Sequence, residues 1–180
     1  FGLADVESYF PKTDRPEKWS MDILPFFPEK FKFEIRKDPK TKKTDTGAKK
    51  QFEILKKLIG RDDVEAVVHC GDADREGEVI IRLILFYAKC QKPVYRLWLP
   101  EQTANTIRQE IRNLKPDSEY DRLYEEGLAR TYMDWLYGIN LTRFVTLKTA
   151  EPVTYNMGRV LTPIVEAIYE RDLEIRNFIP

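Results

Sequence analysis

The sequence predicts an α/β domain built on a parallel sheet, followed by a mainly α-helical segment. Residues 65–71 form a short apolar run rich in β-branched side chains, which is typical of a buried parallel strand. Residues 76–89, 94–99 and 103–114 then have the patterns of a helix, a strand and a helix, and this alternation predicts a βαβ unit. After Pro116 the apolar residues recur only at helical spacing.

Composition excludes several classes of protein. The 180 residues contain 30 Lys+Arg and 30 Asp+Glu, so the formal net charge is zero. With 42% hydrophobic residues the chain can bury a core, and we do not expect disorder. The longest apolar run is far shorter than a bilayer span, and two cysteines make no disulfide framework. We therefore expect a cytoplasmic protein with no membrane partner.

The segment before the first predicted strand changes character along its length. Prolines and aromatic residues recur through residues 1–33, which predicts an extended arm packed on the body because each X-Pro pair disfavours a helix. Residues 31–35 alternate apolar and polar side chains, as a half-buried strand does. The lysine-rich residues 37–50 are expected to form a solvated loop rather than a nucleic-acid patch. Helical spacing from Ala48 predicts a helix that Gly60 ends.

Two longer helices are predicted after Pro116. Apolar residues mark one helix around residues 123–139 and another around 160–175. We therefore place a domain boundary near Pro116, with residues 1–116 forming the α/β domain and its arm and residues 117–180 beginning a helical domain.

The segment with the strongest chemical signal is residues 71–78, which read Gly-Asp-Ala-Asp-Arg-Glu-Gly-Glu. It lies where the buried strand ends and the helix begins, the edge at which open α/β sheets bind ligands. Asp72 and Asp74 are two residues apart, so in an extended backbone they leave on the same side, and Glu76 falls in the first helical turn. We expect the three carboxylates to converge.

Converging carboxylates require a cation. Two like charges about 4 Å apart repel by roughly 4 kcal/mol at an effective dielectric of 20. Mg²⁺ prefers oxygen ligands and is the natural candidate, with Asp72, Asp74 and Glu76 as its ligands. Arg75 could hold a phosphate, so Arg75 and Glu76 are the candidate catalytic residues. The alternative is a helix N-terminus that carries acids to suit its dipole, but four acids in seven residues fit that alternative poorly.

Three blocks of the sequence resemble one known family. Residues 72–78 resemble the acidic motif D-x-D-R-E-G-E of the Toprim domain in type IA DNA topoisomerases. Residues 134–143 are similar to the stretch D-W-L-x-G-x-N-x-T-R, most closely in the topoisomerase III branch. Residues 158–163 are similar to the element G-R-V-Q-T-P, although Leu161 stands where the family usually has Gln. The order of the three blocks makes the resemblance specific.

The resemblance implies a Rossmann-like Toprim sheet and an Mg²⁺-dependent transesterification. In that reaction a tyrosine attacks a DNA phosphodiester, another strand passes through the gap, and the break is resealed. The partner would be single-stranded DNA; we expect no nucleotide cofactor and a monomeric protein. The residues implied to lie along the DNA path are Arg130, Asp134, Arg143 and Arg159.

Two departures from the family pattern qualify this expectation. The family's Toprim domain opens with a strand that ends in a Glu-Lys pair, and no such segment precedes Phe1. None of the nine tyrosines has the Arg-Thr setting of the family's nucleophile. The resemblance therefore implies an internal piece, with most of the Toprim domain and the first helices of the next domain, that is inactive alone.

Two other functions remain alternatives. Another Toprim enzyme, such as a nuclease or a primase, would share the acidic loop but has no reason to carry the blocks at 134–143 and 158–163. A non-catalytic DNA-binding module is disfavoured because a net charge of zero does not support strong nonspecific binding. We expect His69 to be a packed core residue rather than a ligand, and Tyr132 and Trp135 to pack in the core rather than stack on bases.

Overall fold

A computed structural model describes residues 1–11, 13, 18–38 and 40–179. Pro16, which the predicted arm includes, lies outside this part of the chain. The described residues form five short strands and five α-helices, in the order β1 (Gly2–Leu3), β2 (Phe33–Glu34), α1 (Thr46–Ile59), β3 (Val67–His69), α2 (Arg75–Ala88), β4 (Val94–Arg96), α3 (Ala104–Glu110), β5 (Lys115–Pro116), α4 (Asp121–Thr149) and α5 (Leu161–Arg176). None of these helices is long and apolar enough to cross a membrane.

The chain divides into two compact units. The α/β unit comprises Phe1–Leu3 and Lys32–Arg130, and the helical unit comprises the described residues of Ala4–Phe31 and Thr131–Pro180. Helix α4 contributes residues to both units. The domain boundary near Pro116 remains a prediction.

The sheet of the α/β unit is mixed rather than purely parallel. Strands β3 and β4 are parallel, with Val67 opposite Val94 and His69 opposite Arg96. Strand β5 then adds to β4 in the antiparallel direction, giving the order β3-β4-β5. The βαβ unit was correctly predicted. Strand β5 was missed because it is two residues long and contains Pro116, a residue type that sheets tolerate at their edges.

Helices α1 and α2 begin at aspartate caps. The Asp45 carboxylate accepts a hydrogen bond of 3.0 Å from the Ala48 N–H at the start of α1, and Asp74 caps α2 in the same way. Each helix then presents an apolar face, and that of α2 buries Val79, Leu83 and Leu85. These residues, together with Leu97 after β4, form the buried apolar core of the α/β unit.

An aromatic cluster organises the helical unit. Phe31 stacks on Tyr132 at 3.9 Å between ring centroids, and the Trp135 ring lies about 6 Å from those of Tyr9, Phe26 and Phe31. The side chain of Asn140 on α4 accepts from the Phe26 N–H at 2.6 Å and donates to the Phe26 carbonyl at 3.0 Å. Tyr9, Phe26 and Phe31 of the arm therefore pack on α4, and the packing roles predicted for Tyr132 and Trp135 are confirmed.

The cap of α1 makes a prediction about acid pH. The hydrogen bond from the Ala48 N–H, assisted by Arg36, holds the pKa of Asp45 below its ordinary value of 3.8. A lowered folded-state pKa means that the ionised cap stabilises the fold above that ordinary value. This contribution is lost as the pH falls through the folded-state pKa. NMR titration should therefore place the Asp45 carboxyl below 3.8, and a value at or above it would contradict the capping role.

The matched variant for this prediction is Asp45→Asn. Asparagine caps helices about as well as aspartate but cannot titrate. As the pH is lowered through the acid range, the free energy of unfolding of this variant should therefore fall less steeply than that of the wild type. Asp62→Asn, at an exposed aspartate that follows α1 and caps no helix, serves as the control.

Candidate functional site

The acidic motif occupies the predicted place in the fold. Strand β3 ends at His69 and helix α2 begins at Arg75, so the loop between them lies at the carboxyl end of a parallel strand. The side chains of Asp72, Asp74 and Glu76 are exposed there. Oδ1 of Asp74 accepts a hydrogen bond of 2.7 Å from the Gly77 N–H. The motif thus supplies both exposed carboxylates and the cap of α2.

The structure does not gather the three expected carboxylates into one group. Among the described residues, the group of three potential metal-ligating atoms within 4.8 Å of one another comes from His69, Glu78 and Asp117. Asp72, Asp74 and Glu76 form no such group. The expected convergence is therefore not observed among the described residues, and one oxygen of Asp74 is engaged in capping α2.

Glu78, the last acid of the motif, is fully buried and ion-paired. Its Oε1 accepts from Nε of Arg96 at 2.5 Å, and its Oε2 accepts from Nε of Arg82 at 3.2 Å. Nδ1 of His69 lies 2.9 Å from Oδ1 of Asp117 and 3.7 Å from Oε2 of Glu78. The prediction that His69 is a packed, hydrogen-bonded residue is confirmed, because its side chain is buried.

This buried group is an ion network rather than a metal centre. Arg82 also contacts Asp117 at 3.1 Å and Asp121 at 2.5 Å. Burial works against the charged guanidinium, but hydrogen bonding to Asp121 and the nearby carboxylates outweigh it, so the pKa of Arg82 is raised. Two cationic guanidinium groups already lie among these three acids, and they oppose the approach of a divalent cation.

Arg96 connects the network to the acidic loop. Its Nη1 donates to the Gly71 carbonyl at 2.8 Å, and its Nη2 donates to the Asp72 carbonyl at 2.7 Å. The guanidinium carbon also lies 4.8 Å from the centre of the Trp98 ring. Our sequence reasoning missed Arg96, although a charged residue within an apolar predicted strand was a signal that could have identified it.

Two glycines allow the helices to approach the loop closely. A Cβ on Gly77 would lie 2.3 Å from the Asp72 carbonyl oxygen, and one on Gly127 would lie 2.7 Å from the Arg75 carbonyl oxygen. Larger residues at either position would force the backbone apart. The start of α2 is therefore packed against the loop on one side and against the first part of α4 on the other.

Arg75 has a partner on α4. Its Nη1 donates to Oε1 of Glu126 at 2.6 Å, and both side chains are substantially exposed. The structure thus keeps this candidate catalytic arginine next to the loop, in an ion pair on the surface.

In the helical unit, Asp134 and Arg159 lie together. The Arg159 guanidinium makes a bidentate contact with the Asp134 carboxylate at 2.5 and 3.1 Å, and this hydrogen bonding raises the pKa of Arg159. A second bond ties the same parts of the chain together, because Oγ1 of Thr142 accepts from the Met157 N–H at 2.9 Å.

The other two predicted DNA-path residues are less accessible. Arg143 is 6% exposed; its Nη2 donates to Oε1 of Glu7 at 2.7 Å, and its guanidinium carbon lies 5.0 Å from the centre of the Trp19 ring. Its Nη1 is buried with no hydrogen-bond partner among the described residues. Arg130 lies half-buried on α4 and also has a partner.

Comparison with known proteins agrees with this arrangement. The Toprim domain model matches residues 28–102, and a DNA topoisomerase model matches residues 118–180. The mixed sheet with its acidic loop is therefore a Toprim domain.

Similar full-length proteins extend this conclusion. DNA topoisomerase 3 of Bacillus cereus is 40% identical over 176 residues, which is 98% of this chain and 22% of the relative. DNA topoisomerase 3 of Bacillus anthracis gives the same values, and that of Bacillus subtilis is 36% identical over 178 residues, 99% of this chain and 23% of the relative. The chain is therefore similar to these DNA topoisomerases along nearly all of its length, and it spans about a fifth of the length of these relatives.

The buried ion pair makes a stability prediction. Arg96→Met leaves the Glu78 carboxylate buried without its nearest cation, so we expect the free energy of unfolding to fall by about 3–5 kcal/mol in urea denaturation at pH 7. The control is Arg75→Met, which breaks the exposed pair with Glu126 and should cost less than about 1 kcal/mol. Equal losses in the two variants would show that the buried pair does not hold the loop.

Proposed function

We propose that the full-length protein is a type IA DNA topoisomerase that cleaves, passes and rejoins single DNA strands. The main support for this proposal is that the two family matches occur together with an exposed acidic loop at the end of β3. The match over residues 118–180 also disfavours another Toprim enzyme. None of the nine tyrosines in this chain has the family's Arg-Thr setting, so the proposal takes the nucleophile from outside the chain.

The acidic loop has the donor chemistry that Mg²⁺ requires. It offers exposed carboxylate oxygens, and Mg²⁺ in enzymes commonly uses one or two carboxylates together with waters and a substrate phosphate. We assign Asp72, Asp74 and Glu76 as the ligand residues, with Oδ2 of Asp74 as the oxygen that the helix cap leaves to meet a cation. When bound, the ion supplies Lewis-acid stabilisation of charge on the phosphoryl oxygens.

The chain's own residues would position the DNA around this loop. Arg75 would hold a phosphate beside Glu76 once its pair with Glu126 opens, and exposed pairs of this kind contribute only about 0–1 kcal/mol. Arg96, by binding the Asp72 carbonyl, keeps the loop backbone in place. The two proposed catalytic residues are therefore accessible while their support is buried.

Arg159 is the best-placed contact for single-stranded DNA in the helical unit. Its bidentate pair with Asp134 is exposed, and a phosphate offers a guanidinium the same two-oxygen geometry as a carboxylate. Arg143 would first have to break its ion pair with Glu7 before it could contact DNA. The DNA contacts of Arg143 and Arg130 therefore stay predictions. The monomeric state and the cytoplasmic location are predictions as well.

The metal assignment predicts the loss of strand passage in loop variants. Asp72→Asn and Glu76→Gln in the full-length protein should each lower Mg²⁺-dependent relaxation of supercoiled plasmid. The loss should exceed the roughly 10–100-fold that is typical when a residue supporting a metal ligand, rather than the ligand itself, is replaced. Both variants should also weaken Mg²⁺ binding in calorimetry. Glu65→Gln, at an exposed glutamate before β3, is the control. Wild-type relaxation by Glu76→Gln would refute the assignment.

The DNA-path assignment predicts a change in salt dependence. Arg159→Gln should lower the slope of log affinity against log salt for a single-stranded oligonucleotide by about 0.7, the value expected when one phosphate fewer is neutralised. Arg171→Gln, at an exposed arginine of α5 paired with Glu174, removes the same charge and should leave the slope unchanged. If both variants change the slope equally, Arg159 makes no specific contact. The slopes of both variants are measured by fluorescence anisotropy in EDTA.

A further inference from the structure

The charges of this neutral chain are strongly segregated. Residues 30–57 contain 11 Lys+Arg and 4 Asp+Glu, which leaves 19 basic and 26 acidic residues in the rest of the chain. The α/β unit therefore carries a basic surface that the net charge conceals. Part of this surface is helical, because α1 begins at Thr46, inside the stretch expected to be a loop.

Four lysines share one exposed face of α1. Lys49 and Lys56 are seven residues apart, as are Lys50 and Lys57, so each pair lies almost in line along the helix, about 10.5 Å apart at 1.5 Å per residue. All four side chains are exposed. They lie away from the helix face that packs on the unit, and we call them the α1 lysine face.

These lysines retain their charge for a partner. In the part of the chain that the structure describes, Lys49, Lys50, Lys56 and Lys57 form no ion pair. Glu53 lies on the same face, four residues from both Lys49 and Lys57, so the four lysines and this glutamate leave the face with a net charge of +3. The acids on the N-terminal side of α1 are engaged in local structure. Asp45 caps α1 and pairs with Arg36 at 3.0 Å, while Asp38 accepts hydrogen bonds from the Lys40 and Thr41 N–H groups at 2.9 and 2.7 Å.

The geometry points to a second nucleic-acid contact: the α1 lysine face binds the phosphate backbone of duplex DNA. A groove of about 460 Å³ runs along this face, lined by Thr46, Lys49, Lys50, Glu53, Ile54 and Lys57. Each strand of a duplex carries one phosphate per 3.4 Å of helix axis, so about 10.5 Å of lysine face matches about three phosphates.

The composition of the face selects this partner over others. Protein interfaces are enriched in aromatic residues and arginine and depleted in lysine, whereas this face has four lysines and no aromatic side chain. Single-strand binders use aromatic platforms on which bases stack, and the face offers none. Lysine point charges without such platforms suit sequence-independent contact with a duplex backbone. The composition of the face thus differs from that expected of a single-strand path.

The test is the salt dependence of duplex binding by the full-length protein. The fourfold variant K49Q/K50Q/K56Q/K57Q should lower the slope of log affinity against log salt for a 20-bp duplex by about 2.7, which is 0.9 for each of the roughly three phosphates that the variant no longer neutralises. The effect should be the same for two duplexes of unrelated sequence. The charge-retaining variant K49R/K50R/K56R/K57R should keep the wild-type slope.

Four results would overturn the inference. The first three are a slope within about 1 unit of wild type in the glutamine variant, an equal loss of slope in the arginine variant, and competition by polyglutamate for the wild-type protein that is as strong as competition by duplex at equal charge. The fourth is an equally reduced slope of the glutamine variant for single-stranded DNA, which would assign the lysines to the single-strand path. The assay contains EDTA and needs no turnover, so its result is independent of the metal and cleavage proposals.

Discussion

The buried pair of Glu78 and Arg96 is the interaction on which the acidic loop depends. Burying two charges costs several kcal/mol per ion, and the cost is offset only where geometry and further hydrogen bonds are good. Here both carboxylate oxygens of Glu78 meet guanidinium groups, and Arg96 also donates to carbonyls at the end of β3 and in the loop. The pair therefore specifies where the loop backbone lies.

The acidic motif of residues 72–78 consequently contains both exposed acids and a buried structural acid. Asp72 and Glu76 are exposed, whereas Glu78, two residues after Glu76, is buried in the ion network. Helical geometry explains the difference, because side chains two positions apart on α2 leave on different faces. In the proposed function the exposed acids meet a cation and DNA, and the buried acid holds the arginine that supports the loop.

The arginines of the chain differ in burial, and burial decides whether each one is held within the protein or lies at its surface. Arg75 and Arg159 lie in exposed ion pairs that contribute little to stability. Arg82, Arg96 and Arg143 are largely buried and engaged with acids of the protein. With the lysines of α1, the accessible cations occupy defined places on a chain whose net charge is zero.

The sequence by itself determined the βαβ unit, the order of its strands and helices and the position of the acidic loop, because these follow from local periodicity, caps and glycines. It also carried the family resemblance. Only the tertiary structure decided the antiparallel pairing of β5, the pairing of Glu78 with Arg96 across 18 residues and that of Arg143 with Glu7 across 136. Local patterns do not encode such pairings, since partners distant in the chain meet only once the core has packed.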